Sequence, residues 1–258
     1  MIDLESIEFE KNNYIGTIKM NRPEKLNTFD KEMNRALRDL VDEINDDDKL
    51  RVIVITGTGE KAFCAGSDLN SLDVNASFRK IRNRDLDYTY VTRLIRKPVI
   101  AMIRGYAVGG GLELCLMADI RYASKNAVFG APEIKHGWVA GGGSPTFLPR
   151  IVGYGQAMKL ILTGKFIDAA QAEKIGLVEG VFPDERLEEE TYELAETIAE
   201  HSPLAVELAK RAVRMSLSTP PEISMHYENE LFSVCFTSED AKEGIAAFQE
   251  KRKPNFNG

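Results

Sequence analysis

Met33, Leu37, Leu40, Val41 and Ile44 recur at helical spacing, which predicts an amphipathic helix over residues 31–45. Residues 14–20 before it read as a strand. Residues 50–56 (LRVIVIT) after it form a nearly unbroken β-branched run, as expected of a strand buried on both faces. Strand, helix and strand within this span predict an α/β unit with a right-handed crossover. The unit recurs: residues 98–103 (PVIAMI) are a second apolar strand, followed by the glycine-rich stretch 105–111, a helix through Leu112, Leu116 and Met117, and a further strand at 119–123.

Residues 69–96 break the pattern. They are polar, rich in Asn, Asp and Arg, weakly periodic, and expected to form a variable, mobile excursion. From about residue 185 the periodicity is helical only, over 187–201, 203–217, 221–236 and 238–251. Ser202-Pro203 and Pro220-Pro221 punctuate these segments, and Ser238 is a candidate cap. Residues 1–199 are therefore expected to form the core, and residues 200–258 a helical C-terminal region. No low-complexity linker separates them, so the two are expected to pack together.

A chain of 258 residues that is 43% hydrophobic and 28% charged can bury a core without disulfides or structural metals. The cysteines, Cys64, Cys115 and Cys235, show no C-x-x-C pair, and no apolar run approaches the length of a membrane span. The acidic start, Met1-Ile2-Asp3-Leu4-Glu5, lacks the apolar stretch of a signal peptide, and a cytoplasmic protein without membrane association is expected. A net charge of −7 disfavours general binding to nucleic acid or anionic lipid. Asp46-Asp47-Asp48 and Glu188-Glu189-Glu190 lack calcium-loop spacing and read as solvated element ends. Lys251-Arg252-Lys253 is either a cation-stabilised helix end or a phosphate contact.

The most informative segment runs from Gly105 to Asp119 (GYAVGGGLELCLMAD). Glycines that end a strand and open a helix let backbone N–H groups face a ligand, and the helix dipole favours negative charge there. The stretch lacks the Lys-Ser/Thr of a phosphate loop and the G-x-G-x-x-G of a dinucleotide site. A second turn, Lys61-Ala-Phe-Cys-Ala-Gly-Ser-Asp-Leu69, follows the 50–56 strand in the same way. Each is either a close-packed strand-to-helix turn or a source of ligand-facing N–H groups. If both present their N–H groups to one point, they form an oxyanion hole.

Asn21-Arg-Pro-Glu-Lys-Leu-Asn27, Phe63-Cys-Ala-Gly-Ser-Asp68, Lys97-Pro-Val-Ile-Ala101, Gly109-Gly110-Gly111, Ala118-Asp119-Ile120 and Phe129-Gly-Ala-Pro-Glu133 together resemble the crotonase (enoyl-CoA hydratase/isomerase) superfamily, in order and spacing, over essentially the whole chain. The resemblance implies an α/β spiral of ββα units with a helical C-terminal trimerisation region, assembled as trimers or as hexamers. It places the two oxyanion donors on the backbone N–H groups of Ser67 and Gly110, and the catalytic carboxyls on Glu113 and Glu133. In that scheme Glu133 supplies the α-proton and Glu113 positions and activates water. Contacts to the acyl-CoA substrate are implied at Lys25, Leu26, Ala65, Asp68, Leu69, Trp138 and Gly141, with Phe248 and Lys251 closing the site of a neighbouring subunit. No cofactor is implied beyond the substrate's own coenzyme A.

The chain departs from the family pattern after Glu133. Where hydratases usually continue Gly-x-x-Pro-Gly-x-Gly-Gly-Thr-Gln-Arg, this sequence reads Gly137-Trp-Val-Ala-Gly-Gly-Gly-Ser-Pro-Thr-Phe147. Trp138 is either a pocket wall or a core residue, and His136 either a third titrating group or a solvated loop histidine. The expected activity is enoyl-CoA hydration or its reverse. The alternatives are an isomerase, which needs one carboxylate, another acyl-CoA reaction such as decarboxylation or hydrolysis, and a non-catalytic RNA binder. The last should carry a lysine-rich helix, whereas residues 31–48 hold seven acids against three bases.

Overall fold

A computed structural model describes residues 6–71, 73, 75–77 and 87–257. The N-terminal hairpin, β1 (Ile7–Asn12) and β2 (Ile15–Met20), is followed by α1 (Lys31–Asp46) and then by β3 (Val52–Gly57). Two sheets share the strands that follow: β5 (Val99–Ile103), β7 (Ile120–Ser124) and β10 (Gly180–Phe182) join the first three in the order β1-β2-β3-β5-β7-β10. The shorter β4 (Ala62–Cys64), β6 (Tyr106–Val108), β8 (Val128–Gly130) and β9 (Ile167–Asp168) form the order β4-β6-β8-β9. Strands β3, β5 and β7 thus each hand the chain to a short strand in the other sheet and then to helical backbone. These are α2 (Tyr88–Arg93) after β4, α3 (Gly110–Met117) after β6, and a short 3-10 turn, Pro132–His136, after β8.

The β-branched runs read as doubly buried strands are doubly buried. Ile53, Ile55, Val99, Ala101 and Ile103 enter the main core, while Val52, Val54, Ile100 and Met102 face the opposite way, onto Leu187, Ala195 and Ala199 of α7 (Leu187–Ala199). The two-residue period divides the strands between two apolar layers. Helix α1 forms where its spacing predicts: Asp30 caps it by accepting from Glu32 and Met33 N–H, and Met33, Leu37, Leu40, Val41 and Ile44 are buried.

Helices α4 (Ser144–Val152), α5 (Tyr154–Thr163) and α6 (Ala169–Lys174) precede α7, and α8 (Pro203–Ser216), α9 (Pro221–Phe236) and α10 (Glu239–Glu250) end the chain. Ser202 and Ser238 cap α8 and α10 through Ala205 and Ala241 N–H. The C-terminal helices pack on the core as expected: Lys210 of α8 donates to the Ile95 and Lys97 carbonyls and pairs with Asp119, which Arg214 also engages. Of the stretch 69–96, residues 72, 74 and 78–86 lie outside the described residues, and the part from Tyr88 is a buried helix that the sequence pattern did not place. That helix is α2, with Tyr88, Thr89, Val91 and Thr92 buried. Half of that buried set is threonine, whose hydroxyls bond locally to Asp87 and the Tyr88 carbonyl, so the helix carries little apolar signal.

Candidate active site

The turn after β4 is held from the side by the 21–29 segment. Ala65 N–H donates to the Leu26 carbonyl, Phe29 N–H to the Gly66 carbonyl, and Asp68 N–H to the Phe29 carbonyl. Those bonds bracket Ser67 and turn its own N–H away from Phe29, because successive backbone groups on an extended chain point to opposite sides. Asn27 anchors the segment: fully buried and left-handed, it donates to the Thr58 and Ala62 carbonyls and accepts from Arg22 N–H. Arg22 in turn contacts Asp30 and Asp68 at 2.9 and 3.3 Å, and Lys25 approaches Asp68 at 3.6 Å.

The second turn opens α3. Gly110 is the first helical residue, so its N–H has no partner within the helix. The two turns meet: a Cβ added to Gly66 would stand 2.9 Å from the Gly110 nitrogen. Among the described residues, neither the Ser67 nor the Gly110 N–H finds an acceptor.

Both glutamates enter the same cleft, which measures about 700 Å³. Glu113 lies in the first turn of α3, a helix buried all round from Gly111 to Met117, and is itself 5% exposed. Its Oε1 accepts from Gly142 N–H at 2.8 Å and from Ser144 N–H, the start of α4, at 3.0 Å. Burial pushes its carboxyl up to about 7, opposed by those two donors and reinforced by the charge of Glu133. Glu133 sits in the turn after β8, also buried, and burial raises its carboxyl above the ordinary range. Its Oε2 has no hydrogen-bond partner among the described residues.

Of the other expected contacts, Ala65, Leu69, Trp138 and Gly141 line the cleft together with Ser67 and Gly110. Lys25, Leu26 and Asp68 do not line it but are tied to the first turn by the contacts above. Trp138 is 43% exposed and stacks on His136 at 5.2 Å, so it is a wall residue and not core; His136, also exposed, lines the cleft beside it. Phe248 and Lys251 lie at the end of α10, Phe248 85% exposed, and neither lines the cleft of its own chain. The residue missed in the sequence is Tyr88, hidden in the polar stretch, which also lines the cleft. Among the described residues no group of three or more His, Cys, Asp or Glu is placed to hold a metal ion. A larger cavity, about 840 Å³, lies between Tyr14, Tyr192 and Phe256 and contains none of these groups.

The sequence matches the enoyl-CoA hydratase/isomerase family over residues 10–258. The chain belongs to that family. It is 39% identical over 255 residues to a crotonyl-CoA hydratase of Syntrophomonas wolfei, covering 98% of both chains. Against an (E)-benzylidenesuccinyl-CoA hydratase of Thauera aromatica it is 38% identical, covering 98% of this chain and 99% of the relative. The crystal structure of an enoyl-CoA hydratase from Bacillus anthracis matches with a TM-score of 0.93 at 35% identity, covering 98% of this chain and 99% of that one. The crotonase-type fold implied by the motifs is therefore the observed one, with its C-terminal helices in place. The family's departures at 138–147 also have a structural setting: that segment supplies the Gly142 and Ser144 donors to Glu113.

Proposed function

We propose that the protein is an enoyl-CoA hydratase, adding water reversibly across the 2,3-double bond of a 2-enoyl-CoA thioester. The supporting observation is the convergence of two glycine turns with unsatisfied N–H groups and two buried carboxyls on one cleft. The Ser67 and Gly110 N–H groups hold the thioester oxygen, which gains negative charge as the enolate develops. Glu113, whose ionised form the Gly142 and Ser144 donors favour, takes a proton from water as the oxygen attacks Cβ. The pair shares one proton, and in its reacting form that proton sits on Glu133, which delivers it to Cα. The pair carries one proton before and after the step, so charge balances. Hydration needs no cofactor beyond the coenzyme A of the substrate.

The presence of both carboxyls favours hydration over isomerisation, which one carboxylate serves. The acidic face of α1 disfavours an RNA-binding role. Ala65 and Leu69 flank the acyl-CoA path, with Lys25, Leu26 and Asp68 bracing it, and in a trimer or a hexamer Phe248 and Lys251 of a neighbour close the coenzyme A end. The test is a panel of saturated, unsaturated and cyclic acyl-CoA thioesters followed by loss of enoyl absorbance, with mass detection of the product. The expected outcome is a product heavier than its 2-enoyl-CoA substrate by one water. A panel yielding only positional isomers contradicts the proposal. In the same panel Trp138→Ala should shift preference toward longer or bulkier acyl groups, each added methylene changing kcat/KM by roughly 1–3 kcal/mol. An unchanged profile in the folded variant removes Trp138 from the acyl pocket.

A further inference from the structure

Tyr88 lies beside the two oxyanion turns without a role in the steps above. It is 4% exposed, stacks flat on Phe29 with ring centroids 4.1 Å apart and planes 11° from parallel, and lines the cleft. The stack fixes the ring, because a buried aromatic pair at this spacing leaves it little freedom. Its Oη touches both turns. A Cβ added to Gly110 would stand 1.7 Å from that oxygen, so the hydroxyl occupies the side-chain position of Gly110. On the other side the Oη lies 3.4 Å from Ser67 Oγ. That separation exceeds the usual 2.5–3.0 Å of an O–H···O bond, so the contact engages the hydroxyl proton weakly. Burial and the neighbouring charges of Asp87 and Glu113 hold the phenol well above its ordinary range, leaving it a donor across the working pH range.

We infer that the Tyr88 hydroxyl is a third hydrogen-bond donor of the oxyanion hole, turning from Ser67 Oγ to the thioester oxygen when the acyl-CoA binds and holding it more strongly as the enolate develops. The inference rests on the hydratase proposal. Its chemistry is that of the two backbone donors: a dipole aimed at an oxygen whose negative charge grows from the bound thioester to the transition state. It also gives Gly110 a second reason to lack a side chain, since any Cβ there would displace the hydroxyl.

Tyr88→Phe keeps the ring, its volume and the Phe29 stack, and removes only the Oη. With a 2-enoyl-CoA that the wild type hydrates, kcat and kcat/KM should fall together by roughly 10–10²-fold, the mark of a transition-state interaction, with binding of the saturated acyl-CoA within about twofold. A purely structural tyrosine would also lower kcat, so the deciding readout is the infrared carbonyl stretch of bound, carbon-13-labelled enoyl-CoA. In the wild type it should lie below its solution value, and in Tyr88→Phe it should move back toward that value. A stretch unchanged by the substitution, whatever happens to kcat, overturns the inference and leaves the hydratase proposal standing. A wild type that neither hydrates an enoyl-CoA nor shifts the carbonyl overturns both.

Discussion

Glu113 accepts two backbone N–H groups while Glu133 Oε2 has none among the described residues, yet burial outweighs those donors and sets the pH behaviour of Glu113. In the proposed reaction Glu113 must be ionised to take a proton from water, and its carboxyl lies at about 7, so kcat/KM should climb through that region as pH rises. Stability should run the opposite way. A carboxyl raised on folding binds its proton more tightly in the native state, so its contribution is present below the ordinary value of 4.5 and is lost as pH rises toward about 7. Urea unfolding at pH 5 and pH 8 should show Glu113→Gln gaining on the wild type by at most about 3 kcal/mol between the two. A gap that does not widen with pH would mean that Glu113 is not the buried acid with a raised carboxyl described above. At this scale the two glutamates were legible because fixed motifs carry them. Tyr88 was not: its neighbours are threonines and charged residues, and only the fold brings it to Gly110.

The elements that build the site are short. Strands β4, β6 and β8 have three residues each and β9 has two, too few positions for a period of two to register, whereas β3 and β5 announce themselves by continuous burial. The second sheet was therefore invisible in the hydropathy pattern although the turns it delivers were plain. Those turns depend on close backbone approach. Gly66 has φ +92°, and a Cβ there would press on the Gly110 nitrogen. Gly66→Ala should cost about 1 kcal/mol or more of stability and push the two donors apart. Assayed well below its melting temperature, the folded variant should lose on the order of 10² in kcat/KM, comparable to removing an oxyanion donor. Activity that merely tracks the folded fraction would argue that the two turns do not act together.

For the whole molecule, the C-terminal helices raise the question of assembly. No residue of α9 is buried within its own chain, and Ile223, Met225, Phe232, Val234 and Phe236 are exposed along it. Sequence periodicity placed these helices, and the apolar residues left exposed along α9 call for a partner surface. Light scattering at micromolar concentration should give three or six times the chain mass of 28.8 kDa. A stable 28.8 kDa monomer would contradict the expected closure of the site by Phe248 and Lys251 of a neighbour.

The central claim is that Glu113 and Glu133 act as one proton-transfer unit on an acyl-CoA held by the two turns. Single-turnover hydration by Glu113→Gln, Glu133→Gln and the double variant, alongside binding of a saturated acyl-CoA, tests it most directly. Each single variant should lose at least ~10² in rate, with the double variant far short of the product of the two losses and binding within a few-fold of the wild type. Near-normal turnover in Glu113→Gln, or losses that multiply, would contradict it.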